Sequence, residues 1–360
     1  MRHLAIALLI TSLITAPTAQ ACTAFRLVAK DGGVVYGRTM EFGFDVKSDV
    51  VVVPAGTEIS GSLPTGGKGI TYKTKYGMVG ATVVGLPVIV DGINDQGLAV
   101  GLLYFPGYAS YPEAMPENKS RAMAPHELGN WILGNFATVD EVKTALKDVV
   151  LVPVMVEAIK QPAPVHFIVY DRSGKSIVIE PLDKTLKSFD NPLGVLTNSP
   201  NFEWHTTNLR NYLNLMAKNA PAVDLKGMKL TQFGQGSGML GLPGDATPPS
   251  RFVRAVAYSQ SAIPAETNKD AVLKAFHILN AFDIPVGVVR EEHEGELHTD
   301  YTVWSSVADL KDLTWSFKTY NDQSIRTIDL RQALDAAKGQ VRHIAMDSKQ
   351  PIENISTRFK

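Results

Sequence analysis

One cysteine, Cys22, occurs in 360 residues, so no internal disulfide can hold this chain together and it must fold on its apolar core. A hydrophobic content of 45% is ordinary for a globular protein and allows a sizeable core. The position of the cysteine constrains the chain further. Met1-Arg2-His3 gives a positive start, Leu4 to Ile14 an apolar stretch of leader length, and Ala19-Gln20-Ala21 the small residues of a cleavage site. The pattern predicts a signal peptide over 1–21, a single mature domain over 22–360, and export to the periplasm or beyond. Cleavage after Ala21 would put a thiol and a free α-amine on one residue, a nucleophile joined to a proton acceptor.

Two duller readings compete. An unpaired cysteine is ordinarily a buried structural residue, but an unpaired thiol in an oxidising compartment is a liability unless it serves a purpose. Its place at the end of a leader argues for purpose. Alternatively, Cys22 is lipidated and the chain is a lipid-anchored binding protein. Against this, Ala19 stands where lipoprotein leaders usually carry a larger aliphatic residue, and lipidation would block the thiol.

Thirty-five Lys and Arg against 36 Asp and Glu leave a formal charge of −1. That balance gives no reason to expect nucleic acid or a polybasic membrane surface as partner. After the leader no run of eighteen apolar residues occurs, so no spanning helix is expected once the leader is gone.

Along the chain, Thr23 to Ala29 and Val34 to Met40 read as strands about the turn Asp31-Gly32-Gly33, a hairpin that brings Arg38 back toward Cys22. Met78–Val84, Pro87–Val90 and Leu98–Tyr104 read as further strands, with 91–97 a turn-rich connection. Helices are expected over Pro125–Phe136 and Val139–Val149, with Thr138 as a cap, then strands over Val165–Tyr170 and Ser176–Glu180. Helices return at Thr206–Ala217, Ser250–Ser259 and Lys269–Phe282. Strands over Tyr301–Val307 and Thr314–Thr319 and a short helix near Arg331–Ala337 close the chain. Gly234 to Pro249 reads as a long loop. Strands and helices do not alternate strictly, which argues for antiparallel sheets flanked by helices over a doubly wound parallel sheet.

A thiol attacks as thiolate, and a free one has a pKa of about 8.5. An α-amine, at about 7.7–8.0, can take the proton near neutrality without a histidine. Arg38 is the candidate cation beside the thiol, and Glu41 the carboxylate that could orient the amine.

These residues also carry a resemblance. Cys22-Thr23-Ala24-Phe25 with Gly37-Arg38-Thr39-Met40-Glu41 resembles the choloylglycine hydrolase family, which holds penicillin V acylases and bile salt hydrolases. Four more stretches follow in order: Asp91 to Leu98 before Leu103-Tyr104-Phe105-Pro106; Leu196 to Phe202; Leu242 to Arg254; and Trp304-Ser305-Ser306-Val307. Each motif is weak alone; in register they span essentially the whole mature chain.

The resemblance implies an α+β, four-layer αββα N-terminal-nucleophile hydrolase. It would cleave linear amides through a thioester on Cys22, with the Cys22 amine as base and no cofactor. Arg38 would lie beside the thiol. Asn198 would donate its side-chain amide to the oxyanion, with the Tyr104 backbone N–H as second donor and Arg251 completing the charged cluster. Donors aimed at that oxygen are worth about 2.7–4 kcal/mol each. Two arginines near one thiol would favour the thiolate and lower the amine's pKa. Glu41 falls where the family commonly has aspartate. Tyr104 falls where many bile salt hydrolases have asparagine and some penicillin V acylases tyrosine. With the leader, it tilts the expectation toward a penicillin V acylase-like enzyme that also takes N-acyl homoserine lactones, with a conjugated bile salt hydrolase as the alternative. The expected partner is a small acyl-amide substrate, and the resemblance implies a homotetramer.

Other signals are weaker. His293 and His298 are five apart, where a zinc-binding helical pair needs four. Gly236-Ser237-Gly238 lacks the first glycine of a nucleophile elbow, Gln235 standing there. Asn118-Lys119-Ser120 and Asn354-Ile355-Ser356 match glycosylation sequons but read as incidental. A papain-like pairing of Cys22 with one of the scattered histidines would leave the exposed amine without a task.

Overall fold

A computed structural model describes residues 21–293 and 296–359, the side chains of 293 and 296 excepted; the predicted leader up to residue 20 and part of the His293–His298 segment lie outside them. Two antiparallel sheets stack face to face. The first runs Cys22–Val28, Val34–Phe42, Glu296–Asp309, Thr314–Thr319 and Arg326–Asp329, with Val289–His293 also pairing the long third strand. The second runs Thr185–Asp190, Ser176–Leu182, Val165–Tyr170, Ala99–Tyr104, Asp91–Asn94, Met78–Ala81, Asp49–Val53 and Arg342–Ala345.

Helices α1 (Leu128–Asn135) and α2 (Val139–Ala145) pack on the second sheet. Helix α3 (Phe202–Asn208) lies against α4 (Pro248–Ser261), and α4 and α5 (Asn268–Leu279) pack on the first sheet. A short α6 (Leu330–Ala337) contacts strands of both sheets. The layers are therefore helix, sheet, sheet, helix, as expected. Local chemistry starts α2 where the sequence placed it and opens α4 two residues before the expected Ser250. Thr138 accepts from Glu141 N at 3.2 Å to cap α2, and Pro248 and Pro249 open α4, where their missing N–H groups cost nothing.

The N-terminal hairpin forms in the register that alternation predicts, with Cys22 opposite Met40 and Ala24 opposite Arg38. Side chains on a strand alternate between faces. Cys22, Arg38, Met40 and Trp304 therefore face the second sheet, while Thr23, Thr39 and Glu41 face the helices. This split organises the site.

Three expectations need correction. Pro87–Val90 is irregular, and the strand is the next stretch, Asp91–Asn94, expected as a turn. Its polar residues are satisfied inside the protein. Asp91 accepts from Tyr36, Ser306 and Trp315, and Asn94 donates to the carbonyls of Leu133 and Phe136. Gly92 lies against Gly80 of the neighbouring strand, where a Cβ on either would run into the other backbone. The helix expected over Thr206–Ala217 starts earlier, at Phe202, and tightens to a 3-10 turn over Leu209–Tyr212. Finally, a small hairpin of Val223–Leu225 and Met228–Leu230 was not anticipated; all four of its terminal apolar side chains are exposed.

Candidate active site

Cys22 opens the first strand and is buried, its sulfur directed between the sheets. Arg38, fully buried on the adjacent strand, donates from Nη2 to Cys22 Sγ at 3.4 Å. Its other guanidinium nitrogens donate to Val90 O at 2.9 Å and Thr39 O at 3.4 Å, and the group sits 5.1 Å from the Trp304 ring centroid. Burial works against its charge, but the Cys22 thiol, the Tyr36 phenol and the Asp91 carboxylate outweigh it and raise its pKa. A fixed, buried cation thus stands against the sulfur.

Asn198 reaches Cys22 through backbone register. Ala24 N donates to Leu196 O at 2.8 Å and Leu196 N to Ala24 O at 3.1 Å, an isolated antiparallel bridge. Carried two residues on, the same register sets Asn198 opposite Cys22. Asn198 Oδ1 accepts from Cys22 N at 2.7 Å and from Arg251 Nη2 at 2.8 Å, while Nδ2 donates to Tyr104 O at 2.8 Å. One of the two amide hydrogens on Nδ2 remains for a bound oxyanion. The Tyr104 N–H faces the same edge. Phe105 N donates to Pro164 O and Val165 N to the Tyr111 hydroxyl, so Tyr104 and Val165 form a non-hydrogen-bonded pair and the Tyr104 N–H points away from that strand.

Arg251, from the first turns of α4, is fully buried on the helix-facing side of the first strand. It donates to Cys22 O, to Thr23 Oγ1 at 2.9 Å and to Ala246 O at 2.8 Å. The expected pair of arginines at the thiol is thus one arginine at the sulfur and one at the carbonyl of the same residue. Alternation explains the difference, since the two residues approach opposite faces of one strand.

Glu41 departs from its expected task in the same way. Its backbone N–H donates to Ala21 O at 2.9 Å, but its carboxylate points toward the helices, where Oε1 accepts from Thr302 Oγ1 at 3.2 Å. Among the described residues its Oε2 is buried without a partner. The group that holds the Cys22 nitrogen is Asn198, not Glu41. Burial pushes the Glu41 carboxyl up to about 7 against the pull of Arg251, Thr39, Arg38 and Thr302. Nearby Asp300 is pushed up to about 6, by burial first and Glu291 second, with Arg251 opposing. A raised carboxyl pKa means that the folded chain holds a proton the unfolded chain releases near 4.5. Stability from this group is therefore full below that pH and is lost as pH rises toward about 7. Glu41→Gln keeps a hydrogen-bonding head and removes the charge. Its Tm is expected to exceed that of the parent at about pH 8 and to match it at about pH 4. An equal shift at both pH values would mean that ionisation of Glu41 is not what costs stability.

In front of the sulfur lies a cavity of about 90 Å³, lined by Met40, Phe42, Val84, Leu86, Leu102 and Ile159 among other apolar side chains. Cys22, Tyr104 and His126 are the lining residues with polar atoms. The Tyr104 hydroxyl is already engaged by Gln161 Nε2 at 2.6 Å, and burial holds its pKa up at about 12. Among the described residues no histidine is hydrogen-bonded to the thiol. His166 and His205 instead bond the main-chain carbonyls of Thr197 and Asn198. Those two histidines, Thr23 and the Asp91 node are the site-supporting groups that sequence reasoning missed. Thr23 and Asp91 stand in the motifs quoted above, but their supporting roles carry no local signal, because Asp91 meets its partners across 55 to 224 residues. No group of three metal-ligating side chains occurs among the described residues, and none of their helices is long and apolar enough to cross a membrane.

Two stacked antiparallel sheets flanked by helices, with a buried cysteine backed by an arginine and opening on an apolar cavity between them, define a class by fold, that of the N-terminal-nucleophile hydrolase fold. Comparison with known proteins narrows it. Residues 22–341 match the family model described as linear amide C-N hydrolases, choloylglycine hydrolase family, and the chain belongs to that family. It is 35% identical over 315 residues to a bile salt hydrolase/transferase of Clostridium perfringens, covering 86% of this chain and 93% of the relative. It is 27% identical over 324 residues to a penicillin V acylase of Pectobacterium atrosepticum, covering 85% and 79%. Among solved structures, a conjugated bile acid hydrolase from Clostridium perfringens superposes with a TM-score of 0.81 at 32% identity, covering 93% of this chain and all of that one. Penicillin V acylase from Agrobacterium tumefaciens gives 0.73 at 25% identity, covering 91% and 92%. The chain is an enzyme, a hydrolase of linear amides.

Proposed function

We propose that the chain matures at Cys22 and hydrolyses amides whose acyl part is a flexible chain or a single aryl group, as in phenoxymethyl penicillin or N-acyl homoserine lactones. In this reading the Cys22 amine takes the thiol proton and the sulfur attacks the amide carbon. Negative charge then gathers on the former carbonyl oxygen, where the free hydrogen of Asn198 Nδ2 and the Tyr104 N–H meet it. The amine returns its proton to the departing nitrogen, leaving a thioester. Water, deprotonated by the same amine, attacks the thioester and releases the acid and the thiol.

One observation carries the choice of acyl group, namely the apolar lining of the cavity in front of the sulfur. A rigid hydroxylated ring system would bury hydroxyls there against aliphatic walls, and unpaired buried polar groups are costly. A hydrocarbon chain or one ring meets no such penalty. Conjugated bile salts remain the second reading, because the bile salt hydrolase of Clostridium perfringens is more similar in sequence than the penicillin V acylase of Pectobacterium atrosepticum, at 35% against 27%. Values of kcat/KM on phenoxyacetyl amides, medium-chain acyl homoserine lactones and taurine conjugates separate the two. We expect the first two classes to exceed the third by about tenfold or more, the scale of one or two kcal/mol in a pocket. A clear preference for taurine conjugates would reverse the assignment.

A further inference from the structure

We propose that His166 and His205 are positioning residues that clamp the oxyanion-binding segment, an inference resting on the reading of Asn198 as an oxyanion donor. The two histidines hold consecutive carbonyls. His166 Nε2 lies 2.8 Å from Thr197 O, and His205 Nε2 lies 2.9 Å from Asn198 O. A carbonyl only accepts, so both rings carry hydrogen on Nε2. Both side chains are fully buried, and neither is hydrogen-bonded to the thiol.

Each ring is itself fixed from two directions. His166 stacks on Phe105 with ring centroids 4.2 Å apart, and Phe105 follows Tyr104, the other proposed donor. Its Nδ1 faces Glu180 Oε1 at 3.2 Å, and the same carboxyl oxygen accepts from Phe202 N at 2.9 Å. With Nε2 on Thr197 O and Nδ1 on Glu180 Oε1, the ring is fixed in orientation from both nitrogens. His205 stacks on Phe252 at 4.6 Å, and Phe252 follows Arg251, which donates to Cys22 O and Asn198 Oδ1. Burial lowers the pKa of His205 to about 4, so this ring stays neutral. Among the described residues its Nδ1 is buried without a partner. A fully buried ring with an unpartnered nitrogen is expensive to keep, and its one hydrogen bond goes to the carbonyl of Asn198. The clamp therefore braces both donors. Asn198 is held through its own main chain, and Tyr104 through its neighbour Phe105.

The test separates oxyanion chemistry from thiol chemistry. Alkylation of Cys22 by iodoacetamide needs the thiolate but forms no oxyanion, whereas amide hydrolysis needs both. His205→Phe keeps the stack on Phe252 and removes the donor. It is expected to lower kcat about 10- to 100-fold, the scale of a small misplacement at a reacting centre, with KM and the alkylation rate changed by less than about threefold. His205→Gln, which restores an amide N–H, is expected to recover most of kcat. His166→Phe should behave like His205→Phe and bears the test if the latter does not fold. Unchanged hydrolysis in both phenylalanine variants, or alkylation falling in step with hydrolysis, would overturn the clamp. Asn198→Ala is the control. If it alone keeps full turnover, the reading of Asn198 fails and this inference with it. If it is impaired while the histidine variants are not, only the clamp fails.

Discussion

Replacing Cys22 with serine is expected to lower amide hydrolysis by ~10³-fold or more while the protein stays folded. The fold has little at stake in the sulfur. A serine hydroxyl can still accept from Arg38 Nη2, which now lies 3.4 Å from the sulfur, and the strand is held by main-chain pairing with Met40 and by Asn198 on Cys22 N. Chemistry has everything at stake. An α-amine titrating near 8 is matched to a thiol near 8.5, but an alcohol lies far above the reach of that base. The parent and the variant should show the same thermal unfolding and the same main-chain circular dichroism, while kcat/KM collapses. Full turnover by the serine variant would place the nucleophile elsewhere.

The second large effect concerns the residue before Cys22. A variant in which cleavage after Ala21 is blocked, such as Ala21→Leu, is expected to accumulate as a folded precursor with turnover reduced ~10³-fold or more. While Ala21 is joined to Cys22, the nitrogen at the site is an amide without a basic lone pair. Among the described residues no imidazole is bonded to the sulfur to take over. Folding should survive, because the peptide before Cys22 is already accommodated, Ala21 O accepting from Glu41 N at 2.9 Å. Intact mass and activity measured on one sample decide the matter. A mature parent beginning at Cys22 with a free amine agrees with this account. Added diacylglyceryl mass would point to the lipid-anchored alternative, and an active uncleaved precursor would remove the amine from the mechanism.

Much of the fold was legible because its strands alternate and its helices carry caps. Thr314–Thr319 ends where expected, and Thr138 caps α2. The segment over Asp91–Asn94 was not legible, because Asp and Asn signal turns unless distant partners satisfy them, and those partners are on other strands for Asp91 and on α1 for Asn94. The candidate site followed the same rule. Cys22 and Arg38 were readable from one hairpin. Asn198 and Arg251 became readable only through the family resemblance, since Cys22 meets them across 176 and 229 residues. The role given to Glu41 failed for a different reason. Spacing along a strand placed it near Cys22, while pleating turned its carboxylate to the other side. The two supporting histidines gave no signal at all, since a histidine that bonds a carbonyl looks like any other until the chain is folded.

The opposed faces of the first strand have a consequence for how such enzymes diversify. Polar machinery under Cys22 is anchored in α4 and the Leu196–Asn198 segment, whereas the walls of the acyl cavity come largely from elsewhere, including Val83, Val84 and Leu86 of a loop and Val156 and Ile159 of a short strand and the 3-10 turn after it. Loops tolerate change far better than paired strands. Mutational drift in those walls would retune which acids are released and spare the bond-breaking apparatus, so neighbouring lineages could exchange diets while inheriting one reaction.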